Sequence, residues 1–185
     1  DGTFGALGHA VSDGDTGTQM SLSEGYIYQA DIVGIKKGES GSPGEISGVI
    51  DYGREHCLGR ITENTPLGIR GKLEAGANAM DEGSLYPVCY KQDIRLGTAY
   101  IVSSVSGESR QYEIQIESLD YSGNEENKGI MFKVTDPKLL SLTGGIVQGM
   151  SGSPIIQDGK IIGAVTHVFV SDASMGYGIF IEKMI

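Results

Sequence analysis

Apolar and polar residues alternate along much of the chain in short runs, a pattern typical of β-strands that bury one face. The clearest run is 110–119, where Tyr112, Ile114 and Ile116 alternate with polar side chains. Similar runs recur about every ten residues with glycine-rich turns between them, and this spacing predicts an all-β barrel or sandwich. The predicted strands are 5–11, 25–35, 45–51, 57–62, 67–73, 85–91, 97–105, 110–119, 129–135, 155–157, 160–170 and 176–182.

Two other segments depart from the strand pattern. A short helix is predicted at Pro137–Thr143, because proline suits the first helical position and Asp136 can cap the free N–H groups. A loop is predicted at 78–83. The chain contains neither a long repeat nor a low-complexity linker, so residues 1–185 are treated as one domain.

Composition limits the possible functions. The chain has 29 glycines, no tryptophan, 14 basic and 24 acidic residues, and a formal net charge of −10. This negative charge argues against sequence-independent nucleic-acid binding, which requires a basic surface. No apolar run is long enough to cross a bilayer. The chain begins with Asp1-Gly2-Thr3, without an initiator Met or a signal peptide, and is therefore expected to be a fragment of a longer protein. The sequence leaves open whether Cys57 and Cys89 form a disulfide or remain thiols.

The strongest candidate for chemistry is the segment Gly149-Met150-Ser151-Gly152-Ser153-Pro154. Glycines permit a tight turn that can direct the N–H groups of Gly149 and Ser151 at a carbonyl attacked by the Ser151 hydroxyl. The following apolar run is interrupted by Asp158-Gly159, a strong signal for a two-residue β-hairpin. A nucleophile loop that leads into a hairpin is typical of chymotrypsin-like serine proteases, whereas that of α/β-hydrolases leads into a helix.

A second segment, 38–43, matches the same short pattern but lacks a comparable hairpin, so Ser40 is predicted to lie in a polar turn. A nucleophilic serine needs a base, and the chain has three histidines. His56 lies in a charged stretch and is expected at the surface. His9, among small residues at a strand end, is modestly favoured over His167, which lies in an apolar strand. Several aspartates could orient the base, and Asp136 also has a structural explanation as a helix cap.

Three motifs stand out: Gly5-Ala6-Leu7-Gly8-His9, Lys133-Val134-Thr135-Asp136-Pro137, and 144–156 with its continuation at 163–170. They resemble the peptidase domain of the SpoIVB family of sporulation serine peptidases, and the resemblance extends over essentially all 185 residues. It implies that His9 is the general base, Asp136 the acidic member of the triad and Ser151 the nucleophile. It also implies a chymotrypsin-like double β-barrel. Only eight residues precede His9, so the first strands come from elsewhere in the chain or the first barrel is reduced.

The resemblance also implies a biological setting. Members of the family cleave themselves and the regulator SpoIVFA, which leads to the processing of pro-sigma-K. They are secreted from the forespore into the space between two membranes, and their full chains carry an N-terminal membrane anchor and a PDZ domain, neither of which is expected within residues 1–185. No metal or organic cofactor is implied. By analogy with the fold, His167 and Tyr177 are expected to line the pocket for the residue before the cleaved bond.

Two alternatives remain open from the sequence. The first is a non-catalytic binding domain that recruits a membrane complex by β-strand addition, and it predicts that Ser151→Ala leaves function unchanged. The second is an esterase with the same triad, which would turn over small esters but not peptides.

Overall fold

The computed structural model describes residues 2–74 and 85–185, and the predicted loop at 78–83 lies outside them. The described residues form twelve strands and one α-helix. In chain order these are β1 (Thr3–Ala6), β2 (Tyr26–Tyr28), β3 (Ala30–Lys36), β4 (Glu45–Ile50), β5 (Cys57–Thr65), β6 (Gly68–Leu73), β7 (Gly97–Ser103), β8 (Arg110–Leu119), β9 (Ile130–Val134), α1 (Pro137–Thr143), β10 (Pro154–Gln157), β11 (Lys160–Val168) and β12 (Met175–Phe180).

The strands form three antiparallel groups. The last six close into a barrel in the order β10-β11-β12-β9-β8-β7, in which β10 pairs with β7. The first half of the chain forms an open four-stranded sheet, β1-β6-β5-β2, together with a two-stranded ribbon of β3 and β4. The all-β prediction is therefore confirmed, and of the two expected barrels the first is reduced to an open sheet.

The hydrophobic core lies in the closed barrel. Alternation along β8 places Tyr112, Ile114 and Ile116 inside it, each at most 2% exposed. Every buried member of the main apolar cluster comes from residue 89 onward. The ribbon contributes Ile35 and Ile46, which are partly buried against this cluster.

Local signals predicted several elements correctly. Helix α1 begins at Pro137, directly after its cap Asp136, and ends at Gly144, whose φ of +78° is the left-handed conformation that favours glycine. The β10–β11 hairpin turns at Asp158-Gly159, where both residues have the positive φ that a type I′ turn requires. Ser40 lies in a turn, as predicted, and its hydroxyl donates to the carbonyl of Ser171.

Three predicted strands differ from the structure. The segment 25–35 forms β2 and β3 instead of one strand, because Gln29 leaves the sheet and donates its N–H to the His56 carbonyl. The segment 85–91 makes only an isolated bridge between Val88 and Ile161, since Pro87 has no N–H with which to continue a ladder. The segment 5–11 ends as a strand at Ala6.

Both cysteines are free thiols, and burial raises the pKa of Cys89. Within residues 2–74 and 85–185, no helix has the length and apolar character needed to cross a membrane.

Candidate active site

The loop before β10 presents Ser151 on a tight glycine turn. Gly149 and Gly152 have φ values of +101° and +87°, so both positions require the conformational freedom of glycine. The turn is closed by hydrogen bonds from the Met150 N–H to the Val147 carbonyl and from the Ser153 N–H to the Met150 carbonyl, each 3.1 Å. Among the described residues, the N–H groups of Gly149 and Ser151 have no hydrogen-bond partner. Two unpaired donors beside a serine hydroxyl can bind an oxyanion.

The Ser151 hydroxyl is engaged with the backbone of β11. It donates to the Thr166 carbonyl at 3.1 Å, and no hydrogen bond joins it to His9 in the part of the chain that the structure describes. The hydroxyl is therefore directed at the backbone of β11 and not at His9.

A tight turn after β1 brings His9 towards this loop. Leu7 and Gly8 have φ values of 71° and 72°, so the chain reverses direction immediately before the histidine. A Cβ at Gly8 would lie 2.7 Å from Thr166 Cγ2, and one at Gly152 would lie 2.7 Å from the Leu7 nitrogen. Glycine at both positions therefore allows the histidine turn and the serine loop to pack against each other.

The ring of His9 is oriented by the backbone of its neighbour. Its Nδ1 lies 2.9 Å from the Ala10 carbonyl oxygen. Because a carbonyl oxygen can only accept, Nδ1 carries the hydrogen and Nε2 of the neutral ring keeps its lone pair. This is the tautomer that a general base needs if Nε2 is to accept the serine proton.

His167 lies next to His9, with ring centroids 5.5 Å apart. Its Nδ1 is buried, with no hydrogen-bond partner among the described residues. Burial lowers the pKa of His167, and the nearby His9 and Lys128 lower it further, against an opposing effect of Glu125. We therefore expect His167 to be neutral at neutral pH, so that it adds no positive charge beside His9.

His9, Ser151 and His167 line one cavity of about 480 Å³. Tyr177, the other predicted pocket residue, is not part of the lining and instead stacks on Phe169 with ring centroids 4.6 Å apart. The remaining walls are mainly aliphatic. The described residues that line the cavity are Leu7, His9, Pro43, Ile146, Val147, Gln148, Gly149, Ser151, Thr166, His167, Val168 and Val170.

The structure does not bring Asp136 to this cavity. Its Oδ1 accepts from the N–H groups of Lys138 and Leu139, at 2.8 Å and 3.0 Å, so the carboxylate caps α1. Asp136 lines a different cavity with Tyr112 and Pro137. Among the described residues, no carboxylate oxygen lies within 4.0 Å of a His9 nitrogen.

Sequence reasoning missed two backbone groups of the site, the carbonyls of Ala10 and Thr166. Neither has a signal in residue type, since every residue carries a carbonyl and only the fold determines where it points. His56 lies away from the cavity and pairs with Asp51 at 3.4 Å. No group of three or more metal-ligating side chains occurs within the described ranges.

Comparisons with known proteins place the chain in a family. The family model described as SpoIVB peptidase S55 matches residues 1–185. No curated protein matches the chain. Among solved structures, the chain is similar to the inactive form of a serine-to-alanine mutant of Rv3671c from M. tuberculosis, with 11% identity and a TM-score of 0.46. That alignment covers 80% of this chain and 82% of the other.

Proposed function

Because the chain belongs to the SpoIVB peptidase S55 family and is a chymotrypsin-like serine peptidase, we propose that it is an endopeptidase with Ser151 as nucleophile and His9 as general base. The observation that carries the proposal is the shared cavity, in which Ser151, His9 and the unpaired N–H groups of Gly149 and Ser151 meet.

The reaction begins with rotation of the Ser151 side chain away from the Thr166 carbonyl. His9 Nε2 then takes the hydroxyl proton as the oxygen attacks the scissile carbonyl carbon. The negative oxygen that forms is held by the N–H groups of Gly149 and Ser151. As the C–N bond breaks, His9 returns the proton to the leaving amine. Water attacks the acyl-enzyme with the help of the same base and frees Ser151.

During this reaction the His9 imidazolium needs a partner that accepts from Nδ1. The family resemblance assigns it to Asp136, and this role stays a prediction. The contacts of His9 support a Ser–His dyad, in which the Ala10 carbonyl accepts from Nδ1.

The cavity walls favour an aliphatic side chain before the cleaved bond. Ile146, Val147, Val168 and Val170 are among its aliphatic lining residues, and within the described ranges the two imidazoles are the only titratable groups in the lining. Burying an aliphatic side chain contributes about 1.5–3 kcal/mol, so peptides with Val or Leu at this position should be cleaved about 10–100-fold faster than those with Asp or Lys. Fluorogenic peptides that differ only at this residue test the preference, and equal cleavage would contradict it.

We propose further that the peptidase acts in sporulation signalling, by cleaving itself and a SpoIVFA-like membrane-bound regulator on the way to pro-sigma-K processing. The proposed location is the space between the forespore membranes, with the full-length protein anchored in a membrane and carrying a PDZ domain. These statements rest on the family resemblance. They are tested by expressing Ser151→Ala in a sporulating host, where both cleavages should stop.

Labelling with a fluorophosphonate probe tests the assignment of Ser151 and His9. The parent protein should be labelled, and Ser151→Ala and His9→Ala should not. Peptide turnover measured beside ester turnover separates a peptidase from an esterase. A folded parent that neither labels nor cleaves would instead support a non-catalytic binding domain.

A further inference from the structure

We propose that Asn64 is a positioning residue for His9, acting through the peptide group between Ala10 and Val11. The inference rests on the proposed role of His9 as the base. The contacts of Asp136 do not orient the His9 imidazole, and Asn64 provides a side chain that does.

Asn64 lies near the end of β5, and its amide makes three hydrogen bonds of 2.9 Å. Its Oδ1 accepts from the Val11 N–H, while its Nδ2 donates to the carbonyls of Val11 and Met20. Both ends of the side-chain amide are therefore used on the segment that follows His9.

The geometry of a peptide bond transmits this contact to the histidine. The Ala10 carbonyl and the Val11 N–H belong to one planar trans unit, so they point in opposite directions. When Asn64 Oδ1 holds the N–H, the carbonyl on the other side is directed at His9 Nδ1, which lies 2.9 Å from it. Hydrogen bonds linked in this way also polarise one another, which makes the carbonyl a stronger acceptor.

The segment that needs this support is otherwise exposed. All ten residues of 11–20 are exposed to solvent, and the Ser12–Gln19 bridge joins the two sides of the segment. Asn64 contacts Val11 and Met20, the two ends of the segment. Without these bonds the Ala10–Val11 peptide could rotate and release the His9 ring.

Few described charged groups lie near His9 that could mask the effect of Asn64 on its ring. The titratable neighbour of His9 is His167 on β11, and Lys128 and Glu125 act on His167 in turn. No carboxylate within the described residues is close enough to pair with His9. A change in the titration of His9 can therefore report on the contact through the peptide.

The test compares Asn64→Ala with the matched control Gln19→Ala. Gln19 Nε2 donates to the Asn64 carbonyl at 2.7 Å, so the control removes a hydrogen bond at the same place without touching the Ala10–Val11 peptide. With a fluorogenic peptide, Asn64→Ala should lower kcat about 10–100-fold with little change in KM, because a small misplacement of the base slows the chemical step. Gln19→Ala should leave kcat unchanged.

Two further measurements separate positioning from a general loss of structure. In a Ser151→Ala background, the ¹⁵N chemical shifts of His9 should report hydrogen on Nδ1, and Asn64→Ala should mix this form with the Nε2–H tautomer. Asn64→Asp keeps the Oδ1 acceptor, replaces the Nδ2 donor by an oxygen that can only accept, and adds a negative charge, which favours the imidazolium. The acidic limb of its kcat/KM profile should therefore move to higher pH.

The proposal is overturned if Asn64→Ala behaves like Gln19→Ala, or if it loses activity while the His9 tautomer remains that of the parent. Should Asn64→Ala fail to fold, an unmoved acidic limb in Asn64→Asp overturns it instead. A parent protein without peptidase activity would refute the proposed function itself, and that result is distinguishable from any of these.

Discussion

Two substitutions at Asp136 separate a helix cap from a triad member. The Asp136 carboxylate accepts two of the N–H groups at the start of α1, which no carbonyl of the helix can reach. Asp136→Ala removes both bonds and should cost about 0.5–2 kcal/mol of unfolding free energy. Asp136→Asn keeps the Oδ1 acceptor and loses mainly the charge near the helix N-terminus, worth about 0.3–1 kcal/mol.

The Oδ2 atom adds little to this difference. Its contact with the Glu113 N–H is 3.4 Å long, so an asparagine, whose Nδ2 cannot accept from that N–H, loses only a weak bond there. Urea unfolding in a Ser151→Ala background measures both free energies without self-cleavage. We expect Asp136→Ala to be the less stable of the two variants, by about 1 kcal/mol.

The activity of Asp136→Asn tests whether the carboxylate takes part in catalysis. Because Asp136 has no contact with His9 among the described residues, Asp136→Asn should retain kcat/KM close to that of the parent at a temperature where both are folded. An aspartate that fixes the histidine in a triad gives a different result, since its change to asparagine lowers kcat about 10⁴-fold. A loss of that size in a folded Asp136→Asn protein would refute our reasoning and show that the carboxylate reaches His9 during catalysis.

Three further predictions concern the turn that carries Ser151, the buried histidine and the barrel core. Gly152→Ala should cost at least about 1–2 kcal/mol of unfolding free energy because of its positive φ. It should also lower activity, because its Cβ would clash with Leu7, whereas the control Gly159→Ala meets only the φ penalty. Urea unfolding and peptide turnover of the two variants distinguish the effects. His167 has a lowered pKa in the folded state, so the free energy of unfolding should fall as the pH drops below the ordinary histidine pKa of 6.5. This loss should be smaller in His167→Gln when unfolding is followed from about pH 8 to about pH 5. Phe132→Ala should destabilise the barrel by about 3–5 kcal/mol, as measured by thermal unfolding, since the ring is fully buried; a cost below about 1 kcal/mol would contradict the assigned core.

Much of the fold was predictable because its signals are local. Strand β8 follows from the alternation of Tyr112, Ile114 and Ile116, and α1 follows from a cap and a proline within two adjacent residues. The division of 25–35 into β2 and β3 was not predictable. It depends on strand pairing with two different partners, and the composition of the segment does not encode that choice.

The candidate site likewise contains residues that the sequence predicted and residues that it did not. Ser151 could be proposed from its glycine-flanked motif and the hairpin that follows it, whereas His9 was only modestly favoured over His167 by its neighbours and was assigned by the family resemblance. Asn64 was not found, since its partner Val11 is 53 positions away and an asparagine in a strand has no distinctive pattern. The carbonyl of Ala10 could not be predicted at all, because its role depends on the direction of one peptide plane.

The uneven distribution of the core has a consequence for heat inactivation. His9 follows β1 of the open sheet, while Ser151 precedes β10 of the barrel, and every described buried residue of the main apolar cluster lies in the part of the chain from residue 89 onward, which forms that barrel. Parts of a protein with few buried contacts open locally at lower free energy than its core. On warming, the sheet that carries His9 should exchange its amide hydrogens before the barrel does. Peptide cleavage would then cease while most of the molecule is still folded, and it would return on cooling.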